Sequence, residues 1–188
     1  MQKSPISNLF GATVKWHRDP WVRQTVNFKW SVRTQVISEN EKRELNAAAI
    51  EVFGTMYYTP VELMPDLPAK ETWQVEDQYI KTDIGYSGPL HANMCFYFPR
   101  SLAVNIAGGF LGVDEESVTD QQLIDTMRES ANMIIGNFLG RLDPAGACTL
   151  GIPSAEVKHH FSPENVIQDG ELFAFYSDFG FLWLVHNA

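Results

Sequence analysis

From Leu123 to Leu142 the apolar residues recur with the period of an α-helix, and this long stretch limits what the chain can become. Thr119, followed three positions later by Gln122, forms a capping box that opens the helix, and Asp143-Pro144 closes it. Leu123, Ile124, Met127, Ala131, Ile134, Ile135, Phe138 and Leu142 gather on one face. A stripe that long must be buried against a broad apolar surface, which one further helix could cover only in part.

The rest of the sequence supplies such a surface. Gln24 to Val36 alternates Val26, Phe28, Trp30 and Val32 with polar residues and predicts a half-buried strand. The residues before it show no regular period and are left as an arm or tail. Ser38 with Glu41 is a second capping box, and Leu45, Ala48, Ala49, Val52, Phe53 and Met56 then share a helix face that should end before Pro60. Two runs of period two, YIKTDIGY and LHANMCFYF, flank the breaker Ser87-Gly88-Pro89 and predict a hairpin. Pro99-Arg100 starts a shorter helix, with Gly108-Gly109 marking its end or a close packing contact. ACTLGIP, ELFAFYS and FLWLV read as further strands, the last two joined around Asp178-Phe179-Gly180. The expected architecture is α+β, with helices packed on a largely antiparallel sheet.

Composition narrows the function classes. With 188 residues, 45% hydrophobic and 20% charged, the chain can build one domain around a real core. A formal charge of −9 with only 14 Lys and Arg argues against nucleic acid as a partner. No run approaches the roughly 20 apolar residues of a membrane span, and the opening residues lack a signal-peptide core, so a cytoplasmic location without a membrane partner is expected. Cys95 and Cys148 are far apart in sequence and sit in no metal-ligand spacing, and His159-His160 has no carboxylate or cysteine at ligand distance in the sequence, so no metal site is expected. Asp114-Glu115-Glu116 is a solvated lead into the long helix. The aromatic residues Phe173, Phe175, Phe181 and Trp183 are expected in the core or at a subunit interface.

Opposite the apolar stripe of the long helix, within about 60° of Glu129, lie Asp125, Asn132, Met133, Gly136 and Gly140. A glycine inside a helix costs about 1 kcal/mol relative to alanine, so two on one exposed line need a cause. Either a partner's backbone comes close, or a neighbouring strand of this chain does.

The run Asp125-Thr-Met-Arg-Glu129-Ser-Ala-Asn132, continued by Gly136-Asn137, resembles the Asp/Ser-x-x-x-Glu-x-x-Asn signature of the CheC, CheX and FliY phosphatases. The family pattern places a proline somewhat over twenty residues beyond the Asn, and Pro153 answers to it with a slightly shorter gap. The resemblance covers residues 38–188 as one CheX-like domain and leaves 1–37 outside it. Glu44 and Glu51 are followed at the third position by Ala47 and Gly54, so the first long helix holds no second copy of the signature. A single copy resembles CheX rather than CheC.

The resemblance implies an α/β sandwich in which two long helices pack on one face of the sheet. It also implies a phosphatase acting on the aspartyl phosphate of a CheY-like response regulator in chemotaxis. Glu129 and Asn132 would be the catalytic pair, with Asp125, Met133, Gly136 and Gly140 facing the partner and Asn137 and Pro153 shaping the motif. Asp125 could equally be a solvated residue of the helix's first turns. A carboxamide suits the work, because it can hold a water through both C=O and NH₂ and does not titrate. The resemblance further implies no cofactor of the chain's own, Mg²⁺ in the partner's receiver site, and a homodimer. The competing class is a module that docks on a receiver or flagellar-switch component without catalysis.

Overall fold

The computed structural model describes residues 37–73, 75–166 and 170–187; the strand expected over 24–36 lies outside these. Helix α1 (Glu39–Met56) begins at Ser38, whose hydroxyl accepts from the Glu41 backbone while the Glu41 carboxylate accepts from the Ser38 N–H. Helix α3 (Asp120–Leu142) begins in the same way at Thr119 and Gln122. Between them comes α2 (Arg100–Leu111), which ends at Gly112 in the left-handed conformation, φ 67°. The Gly108-Gly109 pair is therefore not the stop. Gly108 is instead a close contact, where a Cβ would come within 3.2 Å of the Val113 carbonyl oxygen, whereas Gly109 faces open space.

Among the described residues seven strands form one sheet in which every pairing is antiparallel: β1 (Glu62–Leu63), β2 (Gln78–Ser87), β3 (Ala92–Pro99), β4 (Thr149–Leu150), β5 (Ser154–His159), β6 (Glu171–Ser177) and β7 (Gly180–Asn187). Their order is β1-β6-β7-β3-β2, with β4 and β5 both pairing with β2. The hairpin β2–β3 and the closing pair β6–β7 lie where the alternating runs predict them. The strand expected over ACTLGIP shrinks to Thr149–Leu150, and β5, which the sequence reading did not single out, runs up to His159. His160 follows β5 with φ 54°.

Alternation divides the sheet's side chains between two cores. On one face Ile80, Ile84, Phe96, Phe98, Phe175 and Leu184 meet the three helices. There Tyr86 packs edge-on against Phe138 of α3 with ring centroids 6.0 Å apart, and burial pushes its hydroxyl up to about 12. Full burial of an aromatic ring such as Phe138 contributes about 1.5–3 kcal/mol, so this contact fixes α3 on the sheet. On the other face Tyr79, Tyr97, Phe181 and Trp183 are covered by connecting segments through Trp73, Phe161 and Val166. Trp73 meets Trp183 edge-on at 5.3 Å, and Phe161 stacks on Tyr97 at 4.1 Å. Phe173 and Phe175 thus belong to the helix-side core, and Phe181 and Trp183 to the opposite one.

Helix α3 faces the core as its period predicts, with Leu123, Met127, Ala131, Ile134, Ile135 and Phe138 buried. Met56, expected on the buried face of α1, is 45% exposed, because the helix ends there and its last turn projects beyond the sheet-facing stripe. Cys95 is buried and Cys148 half-buried, and both are free thiols.

Candidate functional site

The outward face of α3 carries Glu129, exposed, and Asn132, half-buried, one turn apart. Among the described residues no hydrogen-bond or ion-pair partner is seen for either side chain. Asp125 is engaged within its own helix: it accepts from Gln121 Nε2 at 3.1 Å and pairs with Arg128 at 2.8 Å. Met133 is half-buried and packs against the helix-side core. Gly136 and Gly140 are exposed, and neither is demanded by packing among the described residues. A Cβ on Gly136 would meet only the Leu150 side chain at an ordinary 3.8 Å, and one on Gly140 would meet nothing within 4 Å.

Helix α1 lies along one flank and runs antiparallel to α3. At one end of the pair the Asn137 side-chain oxygen Oδ1 accepts from Arg141 Nε at 2.7 Å, and Arg141 also bridges to Glu44 and Glu51 of α1. At the other end Tyr57 joins Ser130, the neighbour of Glu129, across 2.7 Å. Ser130 gives its single hydroxyl proton to the Thr126 carbonyl at 2.8 Å, so Tyr57 is the donor. Burial raises the Tyr57 hydroxyl above its usual range; the Ser130 bond opposes this and the nearby Glu129 carboxylate adds to it. Tyr57 therefore stays a protonated donor at neutral pH.

The segment through β4 and Pro153 forms the other flank. Leu150 lies over Gly136, and the Gly151 N–H donates to the Gly85 carbonyl at 2.7 Å. A Cβ on Gly151 would sit 2.8 Å from that oxygen, so only glycine fits. Pro153 follows, half-buried, and leads into β5.

Residues 82–172, which include the whole of α3 and the flank through β4 and Pro153 but not α1 or Tyr57, match the family model of the chemotaxis phosphatase CheX. The chain has a CheX-like fold. CheX from Vibrio vulnificus superposes with a TM-score of 0.62 at 19% identity, covering 80% of this chain and 96% of that one. CheX from Borrelia burgdorferi, solved as a CheX–CheY–BeF₃–Mg²⁺ complex, gives 0.58 at 16% identity, covering 78% and 96%. FliY from Thermotoga maritima gives 0.53 at 14% identity, covering 81% and 92%. At these identities the likeness establishes the fold. No curated protein sequence matches at a significant level.

In this CheX-like chain the structure brings Asp125, Glu129, Asn132, Met133, Gly136 and Gly140 onto one helix face, with Pro153 on the adjoining segment, while Asn137 turns toward α1. Sequence reasoning missed Tyr57, Tyr58 and Ile152. Tyr58 is 87% exposed with φ 53°, and Ile152 is 96% exposed. The available signals were a tyrosine pair just past the end of a helix, and an isoleucine set between glycine and proline. Among the described residues no group of three or more His, Cys, Asp or Glu side chains is placed to hold a metal ion. No helix among them is long and apolar enough to cross a membrane.

Proposed function

We propose that the chain hydrolyses the aspartyl phosphate of a CheY-like response regulator. The observation that carries this reading is the pair Glu129 and Asn132, adjacent on the outward face of α3, without side-chain partners among the described residues, and inside the segment that matches CheX. An aspartyl phosphate is a reactive acyl phosphate, so the phosphatase has chiefly to place a water in line with phosphorus. Asn132 holds that water through its carboxamide; the water oxygen bonds to phosphorus, the bond from phosphorus to the aspartate oxygen breaks, and inorganic phosphate leaves. Glu129 pairs with a cationic side chain of the receiver and fixes the docking. The receiver, not this chain, carries Mg²⁺; the Borrelia complex, which contains CheY and Mg²⁺, supports this division of labour. The reading includes a homodimer in the cytoplasm, checked by molecular mass in solution.

The test is the decay of a phosphorylated CheY-type receiver with Mg²⁺, alone, with the chain, and with its Asn132→Ala variant. Wild type should accelerate decay catalytically, and Asn132→Ala should lose about a hundredfold or more. Stability should change by no more than about 0.5 kcal/mol, because the side chain points away from the core. Receivers that bind but decay at their own rate would replace this reading by a docking module.

A further inference from the structure

Tyr58 and Ile152 are the two most exposed large apolar side chains among the described residues, at 87% and 96%. Lone apolar side chains on a surface are ordinary. These two differ because each is held out by anchored neighbours, and each follows a segment fastened to α3. Tyr57 is tied to Ser130, beside Glu129. Thr59 is buried, its N–H donates to the Phe53 carbonyl at 3.1 Å, and its hydroxyl donates to the Tyr57 carbonyl at 3.1 Å. Between these anchors Tyr58 takes φ 53°, a conformation that bulky residues avoid and that asparagine or glycine would occupy with less strain. Strain at a residue so far exposed does not serve packing among the described residues, and such outliers gather at ligand-contacting positions.

Ile152 repeats the arrangement on the other flank. Gly151 is pinned to Gly85 at a distance only glycine permits, Leu150 lies over Gly136, and Pro153 stiffens the exit. The isoleucine is thus displayed from a fixed turn.

We propose that Tyr58 and Ile152 are docking contacts for the receiver, gripping its surface on either side of the acyl phosphate that Glu129 and Asn132 address. This inference rests on the proposed phosphatase reading. Their attachment to α3 favours the receiver as the occupant: the Tyr58 segment is tied through Tyr57 to the buried Ser130 next to exposed Glu129, and the Ile152 segment lays Leu150 over exposed Gly136. Both would act on binding alone, since neither reaches the reacting atoms.

The experiment measures KM and kcat on the phosphorylated receiver, binding to the BeF₃-activated receiver, and Tm, for Tyr58→Asn, Ile152→Ser and the exposed-site control Leu67→Ser. Each docking variant should raise KM and the dissociation constant about tenfold with kcat unchanged, the control changing neither. Tyr58→Asn should match or exceed the wild-type Tm, because asparagine accepts the left-handed conformation. Unchanged KM and binding in both variants, with Asn132-dependent hydrolysis intact, would overturn the docking proposal alone. A fall in Tm for Tyr58→Asn with unaltered binding would assign the residue to the fold instead. If the receiver binds without being hydrolysed and the variants weaken that binding, docking stands and catalysis fails. A receiver that neither binds nor decays faster refutes both.

Discussion

Glu129 and Asn132 differ in what they can contribute, although both stand on one turn of α3. A carboxylate contributes charge, which acts on encounter and dwell time; an uncharged carboxamide contributes a fixed pair of hydrogen-bonding groups. Glu129→Gln should therefore raise KM for the phosphorylated receiver several-fold, about tenfold at low salt. The effect should shrink as ionic strength rises, with kcat little changed. Steady-state kinetics at two salt concentrations check this, and a loss confined to kcat would reassign the residue. The helical period put both residues opposite Leu123, Met127 and Phe138, but the period shows only a face; the resemblance to the Glu-x-x-Asn signature singled out the pair. Tyr58 was not legible: its exposure depends on the bond from Tyr57 to Ser130, seventy-three positions away, which no local pattern encodes.

At the scale of the element, both long helices announced their first residues through reciprocal capping, and the structure forms both boxes. Strand β5 escaped notice because SAEVKH offers only Ala155 and Val157 as inward residues, and an edge strand hydrogen-bonded on one side needs no stronger apolar pattern. The short strand β1 has only two residues and no period to detect. The two glycines of α3 gain meaning from what surrounds them. Packing among the described residues explains neither, and the proposed function supplies a cause, the close approach of the receiver's backbone. Gly140→Ala should stabilise the protein by about 0.5–1 kcal/mol through helix propensity, read from denaturant unfolding. The same change should weaken receiver binding, and gains in both stability and affinity would show that no partner comes near.

Across the whole molecule the two-faced sheet follows from strands whose alternate side chains are apolar on both sides, as ANMCFYFP and GFLWLVHN display. The sequence pointed to a sheet covered by helices, but the cover on the second face comes from irregular connections, whose positions no periodicity predicts. His186 on β7 is buried, and desolvation lowers its pKa below the usual value, against the pull of Glu41 and Glu171. The unfolded chain therefore binds this proton more readily than the native one. The His186 contribution is fully present above the unfolded pKa of about 6.5 and is lost as pH falls toward the lower folded value. Tm should drop on acidification from pH 7 to 5, and His186→Asn should flatten that part of the profile; an identical slope in the variant would assign the loss to other groups.

Helix α3 is fastened to α1 at two points, through Arg141 in its last turn and through Ser130 at its middle. A surface clamped in this way has little freedom left to surrender when something lands on it. Encounter should then proceed as a single rigid-body step, with the association rate set by diffusion and orientation rather than by a slow internal rearrangement, and with discrimination among related receivers residing in how long each one stays.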